Sequence, residues 1–189
     1  MNKLNIISTL TKALISYKLL LKKCPYLPLR IWVEPTNLCN LKCRMCSQSN
    51  LNNSVRGYME ITLFKTIINE IKDFAYDVKL FLGGESLLHP EIITMIDYVK
   101  NSGLNCLLNT NASMLNSELS KSLVNTKIDK ITFSFEWYDK KVYERMRRPA
   151  QFEIVLEKIK NFLSIRRELN KVKPKVVIQA ILFDGYSKN

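Results

Sequence analysis

The sequence predicts an α/β fold: an open partial (β/α) barrel with a parallel sheet of about five strands, preceded by an N-terminal amphipathic helix. Three observations carry that expectation. Short β-branched runs alternate with helical stretches at roughly the 30-residue spacing of strand–helix–strand units. Polar or metal-binding groups close four consecutive strand-like runs, and in parallel sheets chemistry gathers at the carboxyl ends of strands. The chain has 189 residues, short of the about 250 that a complete eight-unit barrel needs.

Residues 1–28 read as a helical leader, with Leu4, Ile7, Leu10, Leu14 and Leu21 at helical spacing. Lysines interrupt every apolar core that a signal peptide would need. The stripe is expected to pack against the domain, with a surface-lying membrane helix as the alternative, and Pro25 and Pro28 end the segment. Residues 29–189 form the core. Ile31–Glu34 is a strand that runs into a cysteine loop. A helix follows with Phe64, Ile67, Ile68, Ile71 and Phe74 on one face and Thr62 as its cap. Val78–Leu82 is a strand ending in Gly83-Gly84-Glu85. Pro90 opens a helix that Gly103 closes. Leu104–Leu108 is the third strand, followed by Asn109-Thr110-Asn111. Asn116 caps a short helix near Leu119–Leu123. Lys130–Phe135 is the fourth strand, closed by Ser134 and Glu136. A short helix near Asp139–Arg147 precedes a long one with Phe152, Val155, Ile159, Phe162 and Leu169 inward. Val176–Leu182 is the fifth strand.

There are 29 basic and 17 acidic residues, a net charge of +12. No interleaving of aromatic and basic residues marks a nucleic-acid platform, so the excess reads as solvated helix faces, and neither nucleic acid nor membrane is an expected partner. No segment reaches the roughly 20 apolar residues of a membrane span. Five cysteines, three of them crowded together, suit a metal site in a reducing, cytoplasmic compartment better than a disulfide framework.

The crowded three are Cys39, Cys43 and Cys46. Cysteines that hold electron-transfer clusters come as four. Three thiolates on a four-iron cube leave one iron open to an outside ligand, which suits a cluster that acts on something bound to it. A competing reading is a Cys3His zinc site using His89, the only histidine. The spacing is not a usual zinc pairing, and His89 is expected to start a helix instead. Cys24 and Cys106 are expected to fill core space.

The Cys39-x3-Cys43-x2-Cys46 spacing after a first strand, with Gly83-Gly84-Glu85 after the second, resembles the radical S-adenosylmethionine (radical SAM) superfamily over about residues 31–183. Glu34-Pro35-Thr36-Asn37-Leu38-Cys39-Asn40-Leu41-Lys42-Cys43, Leu88-His89-Pro90, and Tyr143-Glu144 with Arg147 are similar to the catalytic core of members with SPASM or twitch extensions. The resemblance implies a 4Fe–4S cluster on the three cysteines, with SAM chelating the fourth iron. It implies reductive cleavage of SAM to a 5′-deoxyadenosyl radical that abstracts hydrogen from a peptide, protein or cofactor precursor, with an external one-electron reductant. Gly83, Gly84 and Glu85 are then expected to take the methionyl ammonium. Asn109 and Asn111 line the pocket or cap a turn, Ser134 and Glu136 sit at the ribose, and Arg147, or Arg145, holds the SAM carboxylate.

Some positions depart from the family pattern. Met45 stands where an aromatic is usual, Ser86 where proline is common, and Glu136-Trp137 where many relatives have Asp-Gly. The usual core has six strands, and no sequence remains here for the sixth. The chain therefore reads as a shortened gene product, a fragment, or a minimal member completed by a partner, with an inert cluster-binding relative as the alternative.

Overall fold

The computed structural model describes residues 3–50 and 56–183. Five strands form one sheet in sequential order, β1 (Arg30–Val33), β2 (Asp77–Leu80), β3 (Asn105–Thr110), β4 (Lys130–Ser134) and β5 (Lys175–Gln179). Every pairing is parallel. The sheet is open, since β1 and β5 each pair on one side only. Six α-helices accompany it: α1 (Lys3–Lys18), α2 (Ile61–Ile71), α3 (Ile92–Asn101), α4 (Ser117–Asn125), α5 (Lys140–Met146) and α6 (Phe152–Glu168).

Alternation along the strands decides which face meets the helices. Val33, Val78, Leu80, Cys106, Leu108, Ile131 and Phe133 point into one continuous core with Phe64, Ile68, Met95, Ile96, Leu123, Val155, Ile159 and Phe162 from the helices. The intervening strand residues, Trp32, Lys79, Asn109, Thr132 and Gln179 among them, occupy the opposite face. Fully burying one such aliphatic side chain contributes about 1.5–3 kcal/mol, so the helix-covered face dominates the fold's stability.

Several local expectations hold. The Asn116 side chain accepts a hydrogen bond from Leu119 N at 2.7 Å. Gly103 adopts φ +80° beyond α3, where a side chain would be strained. Cys106 is fully buried. Others are corrected. Thr62 lies inside α2, whose N-cap is Glu60 without a side-chain bond. Ile165, not Leu169, completes the inner face of α6, because α6 stops at Glu168 and Leu169 begins the turn. Cys24 is exposed, in the irregular segment between α1 and β1.

The largest correction concerns α1. It ends at Lys18, where Leu20 turns to φ 51° and Leu21 N bonds back to Ser16 O at 3.0 Å. Its leucine stripe does not pack on the domain. Leu4, Ile7, Leu10, Leu14 and Leu21 are all exposed, and the buried residue is Ser16. The Ser16 hydroxyl is folded back onto Lys12 O. The more covered residues of α1 are Ile6, Thr9, Ala13 and Ser16, on a different face from the leucine stripe.

Candidate active site at the carboxyl end of the sheet

The loops after β1, β2 and β3 are laced together by hydrogen bonds. Glu34, directly after β1, accepts bonds from Gly83 N (2.7 Å) and Gly84 N (3.1 Å). Glu85 N donates to Leu38 O at 2.7 Å. Gly84 sits so close to the cysteine loop that an added Cβ would lie 2.0 Å from Thr36 O. Glycine is therefore required at 84 for one loop to pass another. At Gly83 an added Cβ would meet the Gln48 side chain.

Glu85 is buried and its carboxylate is committed to the protein. It accepts from Thr110 Oγ1 (2.6 Å), Asn111 N (2.8 Å) and Leu87 N (3.1 Å). Burial pushes its carboxyl above the usual carboxylate range, against those three hydrogen bonds. Glu85 thus fastens the end of β2 to the end of β3. Because Glu34 takes the Gly83 and Gly84 amides, the backbone groups these glycines retain for a ligand are their carbonyls.

The cysteine loop is anchored on its other side as well. Lys42 N donates to Arg148 O (2.6 Å) and Arg44 N to Met146 O (2.8 Å), binding the loop to the end of α5. Asn40 bridges to Ser113 and Asn111. Cys39, Cys43 and Cys46 form no disulfide and line one cavity of about 330 Å³. Burial pushes Cys43 up to about 11, although the neighbouring Arg147 pulls it down. Burial likewise raises Cys39. Loading such thiols with metal must displace their protons.

The same cavity is lined by Gly83, Gly84, Glu85, Asn109, Asn111, Ser134 and Arg147, and by Met45, Lys79, Phe81 and Gln179. Of the residues expected at the site, Glu136 and the alternative arginine, Arg145, do not line it. Glu136 is fully buried behind Arg147, whose Nε and Nη2 bond its two carboxylate oxygens. The carboxylate that the sequence placed at the ribose instead orients the arginine. Asn109 directs Nδ2 towards Gln179 Oε1 at 3.4 Å. Its buried Oδ1 has no hydrogen-bond partner among the described residues. An orphaned acceptor on a cavity wall is what a polar ligand would satisfy.

The zinc alternative fits poorly. Both ring nitrogens of buried His89 are engaged: Nδ1 accepts from Glu91 N and Nε2 faces Met59 O, each at 3.0 Å. Among the described residues no three His, Cys, Asp or Glu side chains converge on a point that one ion could fill. A cube spreads its thiolates over separate irons, and three thiols around a cavity, with no histidine to spare, match that donor set.

Residues 33–188 match the model of the radical SAM superfamily. The chain belongs to the radical SAM superfamily. Members of this family use a 4Fe–4S cluster and SAM. The chain is 26% identical over 154 residues to the tungsten-containing aldehyde ferredoxin oxidoreductase cofactor-modifying protein of Pyrococcus furiosus, covering 80% of this chain and 43% of that protein. It is 25% identical over 124 residues to the AdoMet-dependent heme synthase of Methanosarcina barkeri, covering 65% and 36%. It therefore spans less than half of these relatives. Among solved structures it resembles Streptococcus suis SuiB bound to precursor peptide SuiA, with TM-score 0.68 and 19% identity over 90% of this chain and 36% of that one. It also resembles BtrN in complex with AdoMet and 2-DOIA, with TM-score 0.62 and 20% identity over 82% and 57%. At these identities the two structures bear on the radical SAM fold alone.

Sequence reasoning passed over the roles of Glu34, Lys79 and Gln179. Glu34 lay inside the quoted motif, but its bond to a turn nearly fifty residues away has no local signature. Lys79 and Gln179 were findable. Each is a polar residue in an apolar strand, alternating with the core positions, and so assigned to the other face of the sheet.

Proposed function

We propose that this chain holds a 4Fe–4S cluster on Cys39, Cys43 and Cys46, binds SAM across the ends of β2, β3 and β4, and starts radical chemistry on a substrate in the same cavity. The supporting observation is the convergence of three cysteines outside any disulfide, the Gly83-Gly84 turn and the orphaned Asn109 Oδ1 on one cavity. Held by Cys39, Cys43 and Cys46, a 4Fe–4S cluster would supply the electron for reductive cleavage of SAM, the source of a hydrogen-abstracting 5′-deoxyadenosyl radical.

The chain's own residues bind, orient and shield. The Gly83 and Gly84 carbonyls accept from the methionyl ammonium, and Glu34 and Glu85 hold that turn in place. Arg147 takes the SAM carboxylate while Glu136 fixes its guanidinium. Arg147 also places positive charge beside Cys43, which favours the thiolate form. Asn109 and Ser134 supply polar contacts to the nucleoside, and Met45 an apolar one. An external one-electron reductant is required, and cysteines outside any disulfide suit the reducing interior of a cell.

Anaerobic reconstitution with iron and sulfide tests this reading. The expected result is a brown protein with about four irons and four acid-labile sulfides per chain, lost in Cys43→Ala and kept in Cys106→Ala. Incubation with SAM and dithionite should then yield 5′-deoxyadenosine. Zinc without labile sulfide would refute the cluster, and a full cluster with no 5′-deoxyadenosine would identify an inert binder.

A further inference from the structure

The register of the sheet sets one row of residues across its ligand-facing side. Trp32 pairs with Lys79, Lys79 with Leu107, Leu107 with Lys130, and Lys130 with Lys175. In-register partners in a parallel sheet point to the same face, and Lys79 lines the cavity that the cysteines close from above. Three lysines therefore stand in a single row beneath the cluster loop. The next rows towards that loop carry Asn109 with Thr132, then Ser134 with Gln179.

Among the described residues, the opposing charge that acts on Lys79 is Asp77. That acid, nearby on the same face, is bound by both arms of Arg30 at 2.6 and 2.7 Å. Among the described residues, Lys79, Lys130 and Lys175 make no ion pair. The Lys79 ammonium instead lies 5.8 Å from the Trp32 ring centre and 5.5 Å from that of Phe81. Burial, Lys130 and Arg30 all weaken its hold on its proton. A half-buried cation, crowded by like charges in a cavity wall, is costly without an anion.

We propose that this row binds the anionic group of the substrate: a phosphate ester or carboxylate held by Lys79 and Lys130, with the Trp32 ring as the side wall. The substrate class that follows is a small anionic molecule. From the lysine row to Ser134 is four residues, or about 13 Å of strand rise. The anion is therefore anchored at the floor while the rest of the molecule extends towards the cysteine loop. Naming this ligand a substrate rests on the radical SAM reading. The anion site itself does not, and it is testable without iron or SAM.

The test uses the cluster-free chain in a Trp137→Phe background, which leaves Trp32 as the sole tryptophan of the two in the sequence. Pyrophosphate and tricarballylate are titrated at constant ionic strength, with chloride as the screening control. Binding is read by Trp32 fluorescence and by melting temperature. The expected result is saturable binding of at least one of the two, weakened about 10-fold or more in Lys79→Met and in Lys130→Met, on the scale of a lost hydrogen bond to a charged group. The arm that responds separates phosphate ester from carboxylate chemistry.

Without ligand, Lys79→Met should melt higher than the parent, because it removes a half-buried cation crowded by like charges; a folded, more stable variant that no longer binds is the decisive outcome. Lys12→Met, on α1, should bind as the parent does. A flat Trp32 signal, a chloride response of equal size, or unchanged affinity in both lysine variants would overturn the assignment. Iron and sulfide analysis reports separately on the cluster.

Discussion

The two ends of this parallel sheet both carry buried acids, yet they use them differently. At the amino end, Asp77 and Asp129 pair with cations that reach solvent. Arg30 holds Asp77, and Lys100 and Lys173 hold Asp129 at 2.6 and 2.5 Å. At the carboxyl end, Glu34 and Glu85 accept backbone amides from neighbouring loops, and Glu136 holds an arginine that is itself buried. The amino-end acids fasten elements that would be adjacent anyway. The carboxyl-end acids fix loops around a cavity, and holding its walls apart demands satisfied polar groups on them. This is the division between a stability end and a chemistry end expected of parallel β/α sheets.

The largest expected effect follows from the most buried pair. Arg147→Leu leaves the Glu136 carboxylate buried without its partner and should cost about 3–5 kcal/mol in urea unfolding. The double variant Arg147→Leu/Glu136→Leu should recover much of that loss, since replacing both charges removes the desolvation cost as well. A single variant within 1 kcal/mol of the parent would break the comparison between the two ends. Next comes Gly84→Ala, whose Cβ would meet the Thr36 carbonyl. Its cost of about 1–3 kcal/mol should come with poor cluster reconstitution, because the cysteine loop must shift. Gly57→Ala, where an added Cβ meets nothing within 4 Å among the described residues, should be neutral in both assays.

Asp129 tests the amino end. Burial alone would raise its carboxyl, but hydrogen bonds from Lys100, Lys173 and Cys106 N outweigh it and hold the group below the usual range. A depressed native value means that the contribution is present above the unfolded value near pH 4 and is lost as pH falls through the native one. Asp129→Asn should therefore cost about 1–3 kcal/mol at neutral pH, and its gap to the parent should close on acidification. Iron loading should be unchanged, since the substitution lies at the end of the sheet away from the cysteines. Loss of cluster in this variant would blur the distinction between the ends.

The path from sequence to site was legible where local chemistry decided it. Strand–helix alternation, the Asn116 cap and the Gly103 stop are properties of a few adjacent residues. The three cysteines and the Gly83-Gly84 turn, picked out in the same way, line one cavity. What failed depended on partners far along the chain. Glu136 reads as a free carboxylate until Arg147 is seen folded onto it. Gly84 reads as room for a ligand until Thr36 is seen pressed against it. The leucine stripe of α1 predicts burial, but amphipathicity states only that a face wants cover and does not name what supplies it.

The smallest expected effect lies on the same short helix as the largest. Lys140 opens α5 and pairs with Glu153 at 3.3 Å, both side chains being more than half exposed. Arg147 caps the other end of α5 and pairs with Glu136 in the interior. The ions are of the same kinds, and the solvent around them differs. In water the Coulomb gain is offset by hydration and by the entropy of two long side chains, so a double-mutant cycle on Lys140 and Glu153 should give about 0.2–1 kcal/mol, fading as salt is added. The cycle on Arg147 and Glu136 should exceed it several-fold and resist salt, because water cannot reach in to replace either partner. Equal coupling in the two cycles would mean that solvent enters behind Arg147. The carboxyl end would then be no drier than the amino end, and the cavity would lose the exclusion of water that radical chemistry requires.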